Sequence, residues 1–203
     1  MLNDVWHKVR LGDLFESRRE RGRSGLPLFS VTIDSGLVDR ETLDRKQDSA
    51  LTPEEHLLVK PGDIAYNMMR MWQGAFGLAD REGMVSPAYV VLKPKPNIDP
   101  AYLAQLLRTP RLLYQLWAYS YGLTDDRLRL YFRDFSVIPV ALPRLEIQSR
   151  VAVGVALWDE SIQIFSKLAA NARVEKRALL KRLLPTPTRY ASASQRSGSW
   201  KLV

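Results

Sequence analysis

Apolar positions recur through residues 143–184 at alternating steps of four and three. They are Val151, Val155, Trp158, Ile162, Phe165, Ala169, Ala172, Lys176, Leu179 and Leu183, of which only Lys176 is not apolar. This spacing is the heptad seam of a coiled coil and predicts one long helix from Pro143 to Leu184. Pro143 at its start, Glu146 in the first turn, Arg and Lys in the last turns and Pro185 just beyond are start and stop signals that suit the helix dipole. Val155, Trp158, Ile162, Phe165, Ala169, Ala172, Leu179 and Leu183 are the candidate dimerisation residues, with closest approach expected at the small Ala169 and Ala172.

Before this helix the periodicity changes to that of strands and short helices. Trp6 to Leu11 alternates enough for a strand, and Gly12-Asp13 offers a turn and cap for a helical turn through Phe15-Glu16. Ser17 to Gly25 reads as a mobile basic loop. Leu26 to Ile33 is strand-like and ends at the turn residues Asp34-Ser35-Gly36, while Val38 to Ala50 is polar and irregular. Pro61-Gly62-Asp63 separates two apolar runs, the second leading into a strand through Asn67. Glycines at 74, 77 and 83 argue for turns or close backbone approach rather than helix. Ala88 to Lys93 is a short, mainly apolar run ended by Pro94 and Pro96 and predicts a central strand. Asp99-Pro100 and Thr109-Pro110 each place a capping residue before a proline, predicting helices through Arg108 and Tyr119. Phe135 to Leu142, with Pro139 inside it and Pro143 after it, predicts an edge strand. The expected architecture is α+β: a mixed-sheet domain over 1–142, the long helix over 143–184, and a linker-like Pro/Ser/Thr tail over 185–203.

Composition narrows the function classes. The 203 residues are 46% hydrophobic, enough for a real core, and no run of about 18 apolar residues predicts a membrane span. The start lacks the pattern of a signal peptide and there is no Cys, so a cytoplasmic location without a membrane partner is expected. Only His7 and His56 are available as imidazole ligands, and no metal or cofactor is expected. The net charge of +8 favours a polyanion, with nucleic acid the first choice.

Catalytic signatures are missing. No G-x-S-x-G elbow, phosphate-binding glycine loop or dinucleotide fingerprint occurs, and the paired carboxylates Glu54-Glu55, Asp125-Asp126 and Asp159-Glu160 are sequence neighbours suited to solvated faces or caps. Asp44-x-Lys46, with Asp39 nearby, has nuclease-like spacing but sits in a polar stretch, so a metal-dependent nuclease is kept as the alternative function. A helical scaffold with incidental basicity is a further alternative. Nucleic-acid readout is better served. Arg70, Gln73, Arg127 and Arg129 carry side chains able to make bidentate contacts to base edges, and Tyr66, Trp72 and Tyr121 lie beside them. Arg19 and Arg21 in the basic loop suit phosphates. The DNA-binding candidates are therefore Arg19, Arg21, Tyr66, Arg70, Gln73, Tyr121, Arg127 and Arg129.

Several stretches together resemble the DNA specificity subunit of type I restriction-modification systems. They are Trp6 with Val9-Arg10-Leu11-Gly12-Asp13, then Pro61-Gly62-Asp63-Ile64-Ala65-Tyr66-Asn67, Trp72-Gln73-Gly74-Ala75-Phe76-Gly77, and Val85-Ser86-Pro87-Ala88-Tyr89-Val90-Val91-Leu92. Arg127-Leu128-Arg129, Phe135, Ile138 to Pro143, and Lys176 to Leu184 complete a resemblance covering about residues 5 to 184. The helix start reads Pro143-Arg144-Leu145-Glu146-Ile147-Gln148 where that family usually has Pro-Pro-Leu-x-Glu-Gln. The resemblance implies a non-catalytic target recognition domain that reads one half of a bipartite site in double-stranded DNA. It also implies docking to methyltransferase subunits, and to restriction subunits where present, with S-adenosylmethionine and the active site carried by the methyltransferase. One recognition domain and one spacer helix make half of a complete subunit, so pairing with a second copy or another half-subunit through the helix is expected. Ser199-Trp200-Lys201-Leu202-Val203 is similar to the Trp6 opening, which leaves two alternatives: an independent half-subunit, or the first half of a longer chain.

Overall fold

A computed structural model describes residues 6–43, 51–124 and 127–184. The chain divides into two compact units, Met1–Val155 and Ala156–Val203. The first contains strands β1 (Trp6–Arg10), β2 (Phe15–Arg18), β3 (Phe29–Thr32), β4 (Gly36–Asp39), β5 (Leu57–Val59), β6 (Ile64–Asn67), β7 (Phe76–Leu78), β8 (Gly83–Val85), β9 (Tyr89–Pro94) and β10 (Pro139–Pro143). Its helices are α1 (Leu11–Leu14), α2 (Pro100–Leu107), α3 (Pro110–Ala118), α4 (Phe132–Ser136) and the first turns of α5 (Leu145–Leu183). The fold is α+β as expected. Every ladder between these strands is antiparallel, and one parallel bridge joins Leu28 to Met84.

The central sheet has four strands in the order β2-β9-β6-β7, which places β9 in the interior. Alternation along its strands sends Ile64, Tyr66, Val90 and Leu92 into a large core with Phe15, Leu103, Leu116 and Phe135. Ala65 and Val91 point the other way, into a smaller cluster with Phe29, Val59 and Val85. Both faces are covered at Val90, Val91 and Leu92, which is why these positions are apolar in succession instead of alternating. Helices α2 and α3 begin as their caps predict: Asp99 Oδ1 accepts from Tyr102 N at 2.9 Å, and Thr109 Oγ1 from Leu112 N at 3.4 Å.

Four local expectations are corrected. The first helical turn is Leu11–Leu14, earlier than expected, because Asp13 sits at its third position and accepts from Arg10 N at 2.8 Å; Phe15 then turns extended to pair with Pro94. Residues 17–25 are not a free loop: Ser17 and Arg18 belong to β2, Leu58 N donates to Glu20 O and Gly22 N to His56 O. Val38 and Asp39 lie in β4, hairpinned to β3, and Arg40–Thr42 forms a 3-10 turn; positions 44–50 lie outside the described residues. Phe135 is in α4, and the strand delivering the chain to the long helix is only Pro139–Pro143.

Pro143 therefore ends a strand, and the helix starts at Leu145. Its first turns are held by buried Gln148, whose Nε2 donates to Pro143 O at 2.8 Å while its Oε1 accepts from Asp99 N at 3.1 Å. Ser149 Oγ donates to Asp99 Oδ2 at 2.8 Å, so one carboxylate caps α2 and fastens α5. At 39 residues, α5 extends about 58 Å at 1.5 Å per residue. From Ala156 onward nearly all of it is exposed, including Trp158 at 73% and Phe165 at 71%. Among the described residues no helix is long and apolar enough to cross a membrane.

A buried ion pair joins Arg18 and Asp63, with side chains 8% and 2% exposed. Two hydrogen bonds join them, Arg18 Nε to Oδ2 at 2.7 Å and Nη2 to Oδ1 at 3.2 Å, and Asp63 also accepts from Lys60 N at 2.8 Å. Glu20 completes the cluster, paired with Arg18 and with Lys60 Nζ. Burial opposes the Arg18 charge, but hydrogen bonding to Asp63 and the charges of Asp63 and Glu20 outweigh it, and its pKa is raised. Asp63→Ala is expected to cost roughly 3–5 kcal/mol in urea denaturation by leaving the buried Arg18 with only the half-exposed Glu20, whereas the double variant Arg18→Met/Asp63→Leu costs much less. Equal losses would show that volume, not charge pairing, matters there.

Candidate nucleic-acid interface

Two surface loops carry most of the expected DNA contacts. The first leaves β6 at Asn67 and makes a 3-10 turn at Met71–Gln73 that Gly74 closes in the left-handed region, φ 89°. Arg70 O accepts from Gln73 N and Ala75 N, and Asn67 Oδ1 accepts from Met69 N, so the loop is internally braced. Met71 is fully buried under it, and α3 packs alongside. Arg70 and Gln73 remain exposed. The second loop is pinched by reciprocal bonds between Tyr121 and Arg129 at 3.0 and 2.7 Å. A side chain at Gly122 would meet Arg127 O at 2.5 Å, so the close approach demands glycine. Tyr121, Arg127 and Arg129 are exposed, while Leu128 and Leu130 between and beside them are buried.

A core residue joins the two loops. Leu130 N donates to Met68 O at 2.9 Å, and the Tyr66 hydroxyl donates to Leu130 O at 3.2 Å. The assignment of Tyr66 as a DNA contact is therefore corrected: it is fully buried, with its ring 5.8 Å from that of Phe135, and it positions the second loop from beneath. Burial first, and the negative charge of Asp134 second, push its pKa up, which keeps the hydroxyl a donor at any working pH.

Arg19 and Arg21 are exposed just past the buried Arg18 pair, and Arg21 bridges to Leu57 through its backbone. Arg19 lines a cleft of about 480 Å³ with Met68, Tyr89, Tyr131, Phe132 and Arg133. The cleft thus touches the basic segment, the first loop and the continuation of the second. Tyr131 and Arg133 were missed in the sequence, although Tyr131-Phe132-Arg133 is an aromatic-basic run two residues beyond Arg129. None of Arg19, Arg21, Arg70, Arg127 and Arg129 forms an ion pair among the described residues, in contrast to Arg18, Arg23, Lys60, Arg81 and Lys93.

Groups suited to other chemistry are engaged or dispersed. Asp39 accepts from Glu41 N at 3.1 Å and pairs with Arg81 at 3.5 Å, and Asp44 and Lys46 of the nuclease alternative lie outside the described residues. No cluster of three or more His, Asp or Glu placed to hold a metal ion occurs among the described residues. His56 is buried, with Nδ1 2.8 Å from Thr52 O.

No family model matches the chain, and no curated protein matches it. Solved structures do. The HsdS subunit from Thermoanaerobacter tengcongensis aligns over 91% of this chain and 50% of its own, at a TM-score of 0.63 and 18% identity. The type I restriction-modification S subunit from M. genitalium aligns over 92% of this chain and 48% of its own, at 0.53 and 16%. A chain from a structure of the type I R-M system, described for complex assembly and conformational transition, aligns over 88% and 43%, at 0.53 and 20%. The chain has the fold of a type I restriction-modification S subunit. It spans about half the length of these S-subunit-like neighbours, and the alignments take in both the sheet domain and the long helix.

The S-subunit fold places the two loops on a rigid sheet, and Tyr66 is where that rigidity reaches them. Tyr66→Phe is expected to cost about 1 kcal/mol in urea denaturation through the lost bond to Leu130, and Tyr66→Ala roughly 3–5 kcal/mol through the cavity. Changes within about 0.5 kcal/mol for both would return Tyr66 to the surface.

Proposed function

We propose that this chain is a sequence-specific DNA recognition subunit of a type I restriction-modification system, reading one half of a bipartite target and performing no catalysis itself. The observation that carries this reading is the joining of two loops whose arginines are free: Arg70, Arg127 and Arg129 are exposed, form no ion pair among the described residues, and stand on loops fastened to each other and to the core through Met68, Leu130 and Tyr66. Unpaired guanidiniums held on a braced loop suit guanine edges, which accept two hydrogen bonds in the major groove. The likeness to S subunits supports the same reading.

Long helix α5 supports a second element of it. Its exposed seam of Val155, Trp158, Ile162, Phe165, Ala169, Ala172, Leu179 and Leu183 suits antiparallel pairing with another copy or another half-subunit. Along 157–168 the apolar surface is wider than a two-helix seam, since Leu157, Ile164 and Leu168 flank it and are all more than half exposed. That extra width suits docking of a methyltransferase subunit in the cytoplasm. In the paired form the helix sets the separation of the two half-sites.

Arg70→Ala and Arg127→Ala are each expected to lower affinity for the cognate site by about 1–3 kcal/mol and to relax sequence preference at individual positions, read by binding of a duplex library. Unchanged preference in both would refute these loops as the readers. Ile162→Glu with Phe165→Glu is expected to give a monomer in analytical ultracentrifugation while the circular dichroism of the domain persists. Mapping methylated sites with the methyltransferase present tests the whole assignment: an interrupted motif is expected, symmetric for a homodimer. A continuous motif, or none, would sink the bipartite reading.

A further inference from the structure

The cleft beside the loops differs from them in chemistry. Three of its lining residues are the arginines 18, 19 and 133, and no carboxylate lines it. Arg18 is consumed by Asp63 and Glu20. Arg19 has no ion pair among the described residues, and Glu16, which shares a neighbouring concavity with it, is engaged by Lys93 at 3.4 Å. Arg133 is held only from behind: its Nε lies 3.3 Å from Asp134 Oδ1, while its side chain is 89% exposed. Asp134 is itself 6% exposed, and its second oxygen has no hydrogen-bond partner, so the carboxylate acts as a fixed buried anchor for this one arginine. An anchored Nε leaves both Nη groups pointing to solvent, a geometry suited to phosphate oxygens. Tyr131, 45% exposed, adds a hydroxyl donor at the same cleft.

Base-reading residues need loops that vary in shape. A phosphate grip needs only fixed positive charge at a fixed distance from those loops, and contacts of this kind set register without carrying sequence information. We infer that Arg19 and Arg133, with Tyr131, form a phosphate clamp that grips the DNA backbone next to the base-reading loops and sets their register. The inference rests on the DNA-recognition reading above and adds to it a site of different chemistry. Because Met68 belongs to the cleft and its carbonyl also fastens Leu130, the clamp and both loops share one rigid support.

The test separates the two claims. Affinity of the full-length chain, with its methyltransferase where binding requires it, is measured on a cognate duplex and on mixed-sequence duplexes between about 50 and 200 mM salt. Arg19→Ala and Arg133→Ala are each expected to reduce the slope of log K against log salt by about 0.9, and to weaken every duplex by the same factor. Arg133→Lys should retain most of the slope. Since Arg133→Ala leaves Asp134 without its cation, Arg133→Ala/Asp134→Asn serves as the folding control and should show the same reduced slope. An unchanged slope in Arg19→Ala and in that double variant, with Arg70→Ala still altering sequence preference, overturns the clamp and leaves DNA recognition standing. Loss confined to the cognate duplex overturns it as well, because it would make these residues base readers. A wild-type chain that binds no duplex removes both readings.

Discussion

The ion pair between Arg18 and Asp63 is the constraint on which the domain's layout rests. It joins the end of strand β2 to the turn that launches β6, across 45 residues of sequence, inside a region almost closed to water. A lone guanidinium or carboxylate buried there would cost several kcal/mol, so each group needs its partner, and Glu20 and the Lys60 amide add further bonds to the pair. The pair thereby sets where β2 ends, and with it the point at which the chain turns outward. Arg19 and Arg21 emerge beyond that point with no carboxylate to meet.

The same division runs through the basic composition. A net charge of +8 describes an average, whereas the folded domain separates cations into those consumed by its own acids and those offered to solvent. Among the offered ones, Arg70, Arg127 and Arg129 sit on two loops joined through Met68 and Leu130, Arg19 lines the cleft that Met68 also borders, and Tyr66 supports this junction from within the core. Any contact made by such an arrangement would draw its precision from the sheet underneath. Long polar side chains on an unbraced loop would lose more rotamer entropy for every contact they made.

The long helix changes character along its length. Its first turns belong to the domain, because Gln148 satisfies Pro143 O and Asp99 N and Ala152 is buried. Past Ala156 the helix keeps an apolar seam, interrupted by Lys176, that is exposed among the described residues. An isolated helix draws little stability from propensity alone, and exposed Trp158, Phe165 and Leu183 would be a standing aggregation hazard. The seam is a wide apolar surface left open on a chain that spans about half the length of its S-subunit neighbours.

Features satisfied within a few residues were legible in the sequence. The caps of α2 and α3 bond to backbone three positions on, the seam of α5 follows from heptad spacing, and the apolar run of β9 marks a strand covered on both faces. The resemblance through scattered motifs reached the S-subunit fold that the structural comparison then showed. Tertiary structure alone decided the rest. Tyr66 and Arg70 sit four positions apart, yet Tyr66, inside β6, points into the core, where its hydroxyl donates to Leu130 O 64 residues on, while Arg70, in the loop beyond β6, is exposed. Arg18 and Arg19 are adjacent and chemically identical; the carboxylates of Asp63 and Glu20 distinguish the buried ion from the free one. Phe135 lay in an apolar run that local spacing assigned to a strand, and its packing against Phe15 and Tyr66 is what the short helix α4 delivers. Local hydrogen bonding and period are properties of neighbouring residues, whereas burial and charge pairing belong to residues brought together only by folding.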